Sequence, residues 1–288
     1  MTTFSQPADY FNIQLTDNEY MAIADFVHKT AGINLKDGKK ELMRTRLSKR
    51  MRALRLTSFK DYFKYVQGDQ SGEEIVFLLD ALATNLTSFF REPQHFHFMA
   101  QKMLPELEAR LKPRGSRRLR IWSAACSSGE EPYTIAMVVM SKNSYFGAGG
   151  DFKILATDLS TKVLQIAKQG VYGPERVKDI PPQALQKYFR RFDSGSGERM
   201  YQVTEEMRQA IAFKRFNLMD HLPFKGPLDL IFCRNVMIYF DRETISALVD
   251  KFYKILGPGG YLFIGHSESL SGLKHSFKYV APCIYQKS

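Results

Sequence analysis

The chain has 288 residues, a formal net charge of +11 at pH 7 and 44% hydrophobic residues. This length suits one large domain or two ordinary ones, and the apolar fraction is typical of soluble globular proteins, so we expect a sizeable core. The sequence has no apolar run of about 18 residues, which argues against a membrane-spanning helix. Residues 1–7 lack the basic start and apolar core of a secretory signal.

The cysteines give no sign of a disulfide framework or a metal site. They are few, odd in number and scattered: Cys126, Cys233 and Cys283. We therefore expect reduced thiols, no bound metal and a cytoplasmic protein. The six histidines are interpreted as ordinary surface or packing residues.

Most of the positive charge lies in one stretch. From Lys29 to Lys64 there are twelve Lys or Arg residues and three acidic residues, which gives an excess charge of +9 (12 − 3). Such an excess favours an acidic partner, whether nucleic acid, anionic lipid or an acidic protein surface. A solvated basic helix explains a charge run of this kind equally well.

Residues 1–90 predict a small helical domain. A capped helix is expected from Asp17 to Lys29, with acids in its first turn and Gly32 beyond its end. Segment 39–56 predicts a basic helix, and further helices are expected over 59–66 and 73–82. The apolar residues of the basic helix form one narrow stripe, namely Met43, Leu47, Met51 and Leu54.

Residues 116–288 predict an α/β domain, joined to the first by a linker and helix over 91–115. Short apolar runs alternate with helical segments, which indicates right-handed βαβ units and a parallel sheet covered on both faces. The predicted strands are 119–124, 152–157, 228–233 and 261–265, and the helices between them are 132–140, 161–168 and 242–256.

One segment, about 170–216, breaks this alternation. Glycine and serine in Ser194-Gly-Ser-Gly197 separate two extended patches, and a third extended patch follows at 210–216. We predict an antiparallel β-subdomain inserted into the α/β domain. A plain surface loop is the alternative.

The turn after the first predicted strand is a candidate ligand loop. Ala125, Ser127 and Gly129 are small residues at positions where backbone can approach a ligand. Glu130 and Glu131 follow directly, which disfavours a pyrophosphate and favours a zwitterionic amino acid with a sulfonium. On its own this loop is a weak signal.

Other polar residues follow the ends of later strands, where ligands of open α/β sheets bind. Asp158 could accept the ribose hydroxyls of an adenosine or could cap the next helix. Asn217 and Leu218 follow an extended segment at the place where adenine is usually held. A last group comes after the strand 228–233 and would be costly to bury without a purpose: Arg234, Asn235 and Tyr239.

Three segments carry a further signal: Thr84-Asn-Leu-Thr-Ser-Phe-Phe-Arg-Glu92, Cys126-Ser-Ser-Gly-Glu-Glu-Pro-Tyr-Thr-Ile-Ala136 and Cys233-Arg-Asn-Val-Met-Ile-Tyr-Phe240. In this order they resemble the CheR family of chemotaxis-receptor glutamate O-methyltransferases, most closely the enteric form. The similarity spans nearly the whole chain. It implies a Rossmann-like S-adenosylmethionine methyltransferase domain with a small all-α N-terminal domain and an inserted antiparallel β-subdomain.

The resemblance also implies roles for individual residues. The cofactor S-adenosylmethionine, and its product S-adenosylhomocysteine, would lie between the two domains. Glu131 would meet its amino-acid end, Asp158 its ribose, and Asn217 with Leu218 its adenine. The remaining cofactor contacts would come from Asn85, Thr87, Arg91, Glu130, Arg234 and Asn235.

The implied reaction needs no general base, because a glutamate with a pKa of about 4.3 is already ionised at neutral pH. We therefore expect positioning residues in place of a catalytic dyad or triad. Arg91 or Arg234 could attract the substrate carboxylate, and Tyr239 could hold one of its oxygens.

The resemblance implies membrane chemotaxis receptors as partners, to which the enzyme would be recruited without inserting into the membrane. Their acidic methylation helices could dock on the basic helix, and a C-terminal tail peptide could add a strand to the β-subdomain near Gly195 and Gly197. The residues expected to contact the receptor helices are Arg44, Lys49, Arg50, Arg52 and Arg55.

Three other functions are compatible with parts of the sequence. A nucleic-acid methyltransferase would suit the charge, but the aromatic proline motif expected after the fourth strand is replaced by Arg234-Asn-Val-Met237. A nicotinamide dehydrogenase lacks its Gly-x-Gly-x-x-Gly motif. A non-enzymatic cofactor sensor that only binds receptor tails would show cofactor affinity without turnover.

Overall fold

The computed structural model describes residues 13–35, 38–142, 145–147, 150–195, 197–223 and 226–288. The chain forms two compact units that divide between Thr84 and Asn85. The sequence placed this boundary at residue 90 and a linker over 91–115. The difference has a simple cause, because Phe89, Phe96 and Met99 are buried in the apolar core of the second unit.

The first unit is helical. Its helices are α1 (Asp17–Ala31), α2 (Lys40–Leu54), α3 (Phe59–Gly68) and α4 (Glu73–Leu82). Thr16 and Glu19 form a capping box at the start of α1, and Gly32 ends the helix in the left-handed conformation with φ 72°.

The basic helix α2 buries one face against the rest of its unit. Met43, Leu47 and Met51 of the predicted stripe are buried, whereas Leu54 is only half-buried. On another side, Nη1 of Arg46 donates to the carbonyl oxygens of Leu82 and Ala83 at 3.0 and 3.1 Å. This arginine therefore satisfies carbonyl groups left without partners at the end of α4.

The second unit begins with a helical stretch, in the region 91–115 where the sequence predicted a linker and a helix. It consists of α5 (Pro93–Phe98), a π-helical turn (Met99–Met103), α6 (Leu104–Leu111) and a 3-10 turn (Lys112–Arg114). Leu104 N–H donates to the Met99 carbonyl, a π-type bond. Pro105 has no N–H to donate to the preceding turn, which accounts for the local widening.

A seven-stranded sheet forms the centre of this unit, in the order β6-β2-β1-β7-β8-β10-β9. The first five strands of that order are parallel, and β10 runs antiparallel to β8 and β9. The strands are β1 (Arg118–Ala124), β2 (Asp151–Asp158), β6 (Ile211–Arg215), β7 (Leu228–Cys233), β8 (Leu256–Ile264), β9 (Phe277–Ala281) and β10 (Ile284–Lys287).

The helices that connect the parallel strands are α7 (Glu130–Lys142), α8 (Thr161–Gln169) and α12 (Arg242–Ile255). Residues Glu130 to Val139 of α7 are all buried, since this helix lies within the main apolar core. The mixed α/β class and its mainly parallel sheet are thus confirmed. Among the described residues, no helix is long and apolar enough to cross a lipid bilayer.

A small antiparallel sheet with the order β3-β5-β4 confirms the predicted β-subdomain. Its strands β3 (Val171–Tyr172), β4 (Phe189–Asp193) and β5 (Arg199–Val203) are accompanied by α9 (Pro174–Val177), α10 (Pro182–Tyr188) and α11 (Glu205–Gln209). In the predicted glycine-serine hairpin, Ser196 lies outside the described residues.

The predicted end of the subdomain at 216 was wrong. Strand β6 pairs in parallel with β2 and is the edge of the large sheet. Ile211 and Phe213 are buried while Ala212 and Lys214 are exposed, so the segment is a strand with one face on the core, and such a pattern does not tell which sheet the strand joins.

Candidate active site at the carboxyl edge of the sheet

The predicted site residues of the second unit gather around one edge of the large sheet. The parallel strands β6, β2, β1, β7 and β8 end at the same edge, so the residues that follow them are neighbours in space. The chain leaves β1 for β2 on one side and later returns to β7 on the other. The gap between β1 and β7 is therefore the topological switch point, where ligands of such sheets bind.

The turn after β1 has an unusual backbone. Ala125, Ser127 and Gly129 have positive φ values of 61°, 49° and 96°. Glycine adopts this conformation without strain, so Gly129 has a conformational reason, whereas Ala125 and Ser127 are non-glycine residues held in a conformation that L-residues rarely adopt. A side chain at Gly129 would also collide with the neighbouring helix, because an added Cβ would lie 2.8 Å from Cβ of Ala167.

Asp158 at the end of β2 is tied to this turn. Its Oδ2 accepts a hydrogen bond from Ser127 N–H at 2.8 Å, and its Oδ1 accepts one from Ser160 N–H at 2.9 Å. Ser160, rather than Asp158, caps α8 by accepting from Val163 N–H. The alternative of a helix cap at Asp158 was therefore wrong, and the buried carboxylate faces the candidate loop.

Segment 85–92 lies against the same turn. Ser127 Oγ donates to the Asn85 carbonyl at 2.9 Å, and Phe90 N–H donates to Oγ1 of Thr134 in α7 at 3.2 Å. Nη1 of Arg91 donates to the Leu86 carbonyl at 2.6 Å and closes the segment on itself. Thr87 is half-buried in this segment.

Arg234 is the centre of a buried charge network. Its Nη1 lies 3.0 Å from Oε2 of Glu131, and its Nη2 lies 2.9 Å from Oε2 of Glu92. The same Nη2 donates to the Arg91 carbonyl at 2.5 Å. Ser123 Oγ donates to the other oxygen of Glu131 at 2.7 Å. One guanidinium therefore joins β7, α7 and segment 85–92.

The pKa values of the two carboxylates in this network are shifted in opposite directions. Burial alone would raise the pKa of Glu92, but the charge and hydrogen bonds of Arg234 lower this pKa to about 2. Burial raises the pKa of Glu131, and Arg234 only partly opposes that effect. Both carboxylates are paired with the guanidinium of Arg234, so this arginine has few N–H groups left to bind a substrate carboxylate.

The turn after β7 is shaped by a second buried acid. Glu268 accepts hydrogen bonds from the backbone N–H groups of Asn235 at 3.0 Å, Val236 at 3.0 Å and Met237 at 2.7 Å. Gly265 N–H adds a fourth at 2.5 Å. Asn235 adopts a positive φ of 58° here, which asparagine tolerates better than most residues. Glu268 thus fixes the turn that carries Arg234, Asn235 and Tyr239.

Glu130 has a different partner from Glu131. The side chain of Glu130 is fully buried and forms an ion pair with Arg176 of α9 in the β-subdomain. Ser128 Oγ donates to Glu130 at 2.9 Å and accepts from Nη2 of Arg176 at 2.5 Å. Glu130 therefore links the candidate loop to the inserted subdomain.

Asn217 and Leu218 follow β6, as predicted. Oδ1 of Asn217 accepts from Met219 N–H at 3.1 Å, and Leu218 is buried. Nζ of Lys251 in α12 donates to the carbonyl oxygens of Leu218 at 3.2 Å and Met219 at 2.9 Å. This lysine holds the segment in place, and burial lowers its pKa.

Four residues that organise this edge were missed by the sequence interpretation: Glu92, Arg176, Lys251 and Glu268. Glu92 ends the first family-like motif, and Glu268 follows the predicted strand 261–265. The rule that selected Asp158 and Arg234, a polar residue after a parallel strand, would also have selected Glu268. Arg176 and Lys251 lie inside helical segments and give no such signal.

The edge fits a cationic amino-acid nucleoside better than a polyphosphate. Three buried carboxylates, on Glu130, Glu131 and Asp158, surround the turn after β1, and Arg176 and Arg234 are already paired with the two glutamates. A polyphosphate would add further negative charge beside these acids. Asp158 can accept hydroxyl groups of a ribose in addition to its backbone bonds, since each carboxylate oxygen has two lone pairs.

Comparison with known proteins decides the family. A family model for the "CheR methyltransferase, SAM binding domain" matches residues 85–285, and one for the "CheR methyltransferase, all-alpha domain" matches residues 18–83. The chain belongs to the CheR methyltransferase family. The border between the two matches coincides with the division of the structure at Thr84 and Asn85.

Named relatives of the CheR family agree over nearly the full length. The chemotaxis protein methyltransferase of Borreliella burgdorferi is 39% identical over 278 residues, which is 96% of either chain. That of Escherichia coli is 39% identical over 277 residues, 96% of this chain and 93% of the relative. A probable chemotaxis protein methyltransferase of Rhizobium etli is 41% identical over 261 residues, 90% of this chain and 96% of the relative.

These findings confirm the resemblance, the enzyme class and the cofactor. The chain is an S-adenosylmethionine-dependent chemotaxis protein methyltransferase of the CheR family. The nicotinamide dehydrogenase and the non-enzymatic sensor are thereby set aside. The roles of individual site residues remain predictions.

Proposed function

We propose that this enzyme transfers a methyl group to glutamate side chains of membrane chemotaxis receptors, giving methyl esters for sensory adaptation. The observation that carries the proposal is that two arginines at the sheet edge differ in how many of their N–H groups are already bound. Arg234 is enclosed by Glu92 and Glu131. Nε and Nη2 of Arg91 have no partner among the described residues, and only Nη1 is bound, to the Leu86 carbonyl. Arg91 is therefore the arginine that can receive an anionic side chain.

The bound cofactor supplies a methyl group carried on a positively charged sulfur. The chain's own contribution is to bind, orient and exclude water. A substrate glutamate is ionised at neutral pH because its ordinary pKa is about 4.3, so no residue has to remove a proton. Alignment of two reactants can contribute about 7–11 kcal/mol to lowering a barrier, which suits a site built for positioning.

Arg91 and Tyr239 are proposed to position the carboxylate. Tyr239 ends the 3-10 turn Met237–Tyr239 and is half-buried at the same edge. A tight two-point bond from an arginine would reduce the nucleophilicity of the oxygen that attacks. We therefore assign one substrate oxygen to these residues and leave the other free to receive the methyl group.

The cofactor contacts are proposed in two groups. Asp158 binds the ribose, Asn217 and Leu218 bind the adenine, and the segment with Asn85, Thr87 and Arg91 covers the cofactor. Glu131, Arg234 and Asn235 shape the amino-acid end. Glu130 is directed to Arg176 and is proposed to act on the loop rather than on the cofactor itself.

The basic helix α2 is proposed to steer and dock the acidic receptor helices. Lys49, Arg52 and Arg55 are exposed and suited to this role. Arg44 lies 2.8 Å from Glu41, and on the exposed surface such a pair costs little to rearrange. Arg50 was predicted to contact the receptor helices but is not proposed for this role. Its Nη2 lies 2.5 Å from Oε2 of buried Glu74, and its guanidinium carbon lies 3.8 Å from the centre of the Phe77 ring.

The β-subdomain is proposed to bind a receptor tail by strand addition, which would recruit the enzyme to the membrane. Strand β4 is an edge of the three-stranded sheet and therefore offers unpaired backbone groups. The hairpin with Gly195 and Gly197 lies at the end of this strand. Tethering would raise the local substrate concentration without changing the active site.

Incubation with radiolabelled S-adenosylmethionine and receptor-containing membranes tests the substrate. We expect base-labile label on receptor glutamates, because methyl esters hydrolyse in alkali. Membranes with receptors whose methylated glutamates are changed to alanine are the matched control and should stay unlabelled. Label on added RNA, with none on the receptor, would overturn the proposal.

A further inference from the structure

A group of potential metal ligands lies beside the charge network, entirely within the second unit. Glu92 precedes α5, His95 lies inside it, and His266 follows β8. One possible ligand atom of each residue lies within 4.8 Å of the other two. Oε2 of Glu92 is 3.5 Å from Nδ1 of His95 and 3.9 Å from Nε2 of His266. Ligands of a tetrahedral zinc ion, at about 2.0–2.2 Å from the metal, lie about 3.3–3.6 Å apart. The Glu92–His95 distance already fits this range, and the exposed side chain of His266 would move closer to the other two when the ion binds.

The burial of His95 is the second observation. Its side chain is only 1% exposed, and within the described part of the chain neither ring nitrogen has a hydrogen bond of good geometry, although the backbone of Pro282 lies close to the ring. Buried polar atoms of native proteins nearly always have a partner, so an imidazole in this state needs an explanation. A metal ion bound at one ring nitrogen would supply that partner.

The local charge balance also favours a cation. Glu92 and Glu131 are two acids paired with the single guanidinium of Arg234. If both are ionised, the group carries −1 (1 − 2). The proposed ligand atom, Oε2 of Glu92, also accepts hydrogen bonds from Nη2 of Arg234 at 2.9 Å and from its Nε at 3.3 Å. Coordination would replace the longer of these bonds and keep the other, because carboxylates that bind metals are usually oriented by such neighbours.

We propose that Glu92, His95 and His266 bind a divalent first-row transition cation, with Zn²⁺ as its representative. Two imidazoles and one carboxylate suit zinc, nickel or cobalt, whereas magnesium and calcium prefer oxygen ligands. His266 is 45% exposed, which gives the cation a path from solvent and leaves room for a water ligand. The ion would connect α5 to the turn after β8 and so stabilise the position of Glu92 beside Arg234.

This site departs from two expectations drawn from the sequence, that no metal binds and that all histidines are ordinary. Glu92 and His95 are three residues apart, one helical turn, but the third ligand comes from a distant strand end. A spacing rule along the chain therefore could not identify the set.

Zinc titration of tag-free enzyme tests the proposal. Isothermal calorimetry with Zn²⁺ should give one saturable site, and Co²⁺ should give the visible absorption bands of a four-coordinate complex. His266→Ala should weaken Zn²⁺ binding at least tenfold, since an exposed ligand can be removed without disturbing the core. His97→Ala is the matched control, because His97 is an exposed histidine of the same helix, and it should bind like the wild type.

A thermal measurement adds a readout that does not depend on activity. Zn²⁺ should raise the Tm of the wild type and of His97→Ala, and should leave that of His266→Ala unchanged. Equal Zn²⁺ affinity of His266→Ala and wild type, or the absence of a saturable site, would overturn the proposal. Loss of binding in Cys283→Ser with retention in His266→Ala would overturn it too, because the ligand would then be the nearby thiol.

Discussion

Arg234 and Glu131 form a buried ion pair, with 3.0 Å between Nη1 and Oε2, that connects the turn after β7 to the first turn of α7. The pair spans the switch point of the sheet, and Glu92 completes it from segment 85–92. Three parts of the chain that are far apart in sequence are thus fixed by one guanidinium.

Removal of this guanidinium should destabilise the second unit. Arg234→Met leaves two buried carboxylates without their partner, and we expect a loss of about 3–5 kcal/mol in the free energy of unfolding. Urea unfolding followed by the fluorescence of Trp122, the single tryptophan, measures this. Lys254→Met is the control, because its 2.5 Å pair with Asp250 is exposed and should contribute about 1 kcal/mol or less. Equal stability of Arg234→Met and wild type would contradict the role of the network.

The positioning residues should matter for turnover. Arg91→Ala and Tyr239→Phe should each lower kcat for receptor methylation by about tenfold or more, because one hydrogen bond to a charged group contributes about 1.5–3 kcal/mol. Initial rates with radiolabelled cofactor give kcat and KM. Arg114→Ala and Tyr279→Phe, both at exposed positions, are the matched controls. Unchanged kcat in both test variants would refute the assignment.

Glu268 should control the turn rather than the reaction itself. Glu268→Ala removes the acceptor of four backbone N–H groups. We expect kcat to fall by about tenfold and unfolding to become easier, since buried donors would lose their partner. Glu268→Gln keeps one acceptor oxygen and should recover part of both. A Glu268→Ala enzyme with wild-type kcat and stability would show that the turn holds its shape without this acid.

The basic helix should act through long-range charge. Lys49→Glu, Arg52→Glu and Arg55→Glu together should lower receptor methylation at low salt by raising KM, and should flatten its dependence on ionic strength. Methylation rates at several NaCl concentrations provide the measurement. A variant with the same reversals at Lys112, Arg114 and Arg118, all exposed residues of the second unit, controls for net charge. Loss of salt dependence in the control alone would assign steering to a different surface.

The thiols should react slowly in the native state. Cys126 and Cys233 are buried, and burial raises the pKa of both far above the ordinary value. Cys283 is partly exposed, and burial first, then Glu92 and Glu268, raises its pKa as well. Titration with a chromogenic disulfide at pH 8 should detect at most one thiol, with a rate that rises with pH because the thiolate is the reactive form. Three thiols should react in urea; three in native buffer would contradict this.

The local patterns of the sequence were enough for the elements and their class. The acids in the first turn of α1 with Gly32 beyond its end, the apolar stripe of α2 and the alternation of apolar strands with helices each depend on neighbours along the chain. The strand ends that carry Asp158 and Arg234 could be located for the same reason. The glycine and serine residues between extended patches predicted the inserted subdomain, and the resemblance of three motifs then predicted the family and the cofactor.

Only the tertiary structure decided which side chains meet. The partners of Arg234 come from segment 85–92 and from α7, and the ligand set Glu92, His95 and His266 joins a helix to the end of a distant strand. The strand pairing also shows that β6 belongs to the large sheet and not to the predicted subdomain. Periodicity reports which face of an element is buried, but the identity of the residue across that interface depends on how the chain folds back on itself.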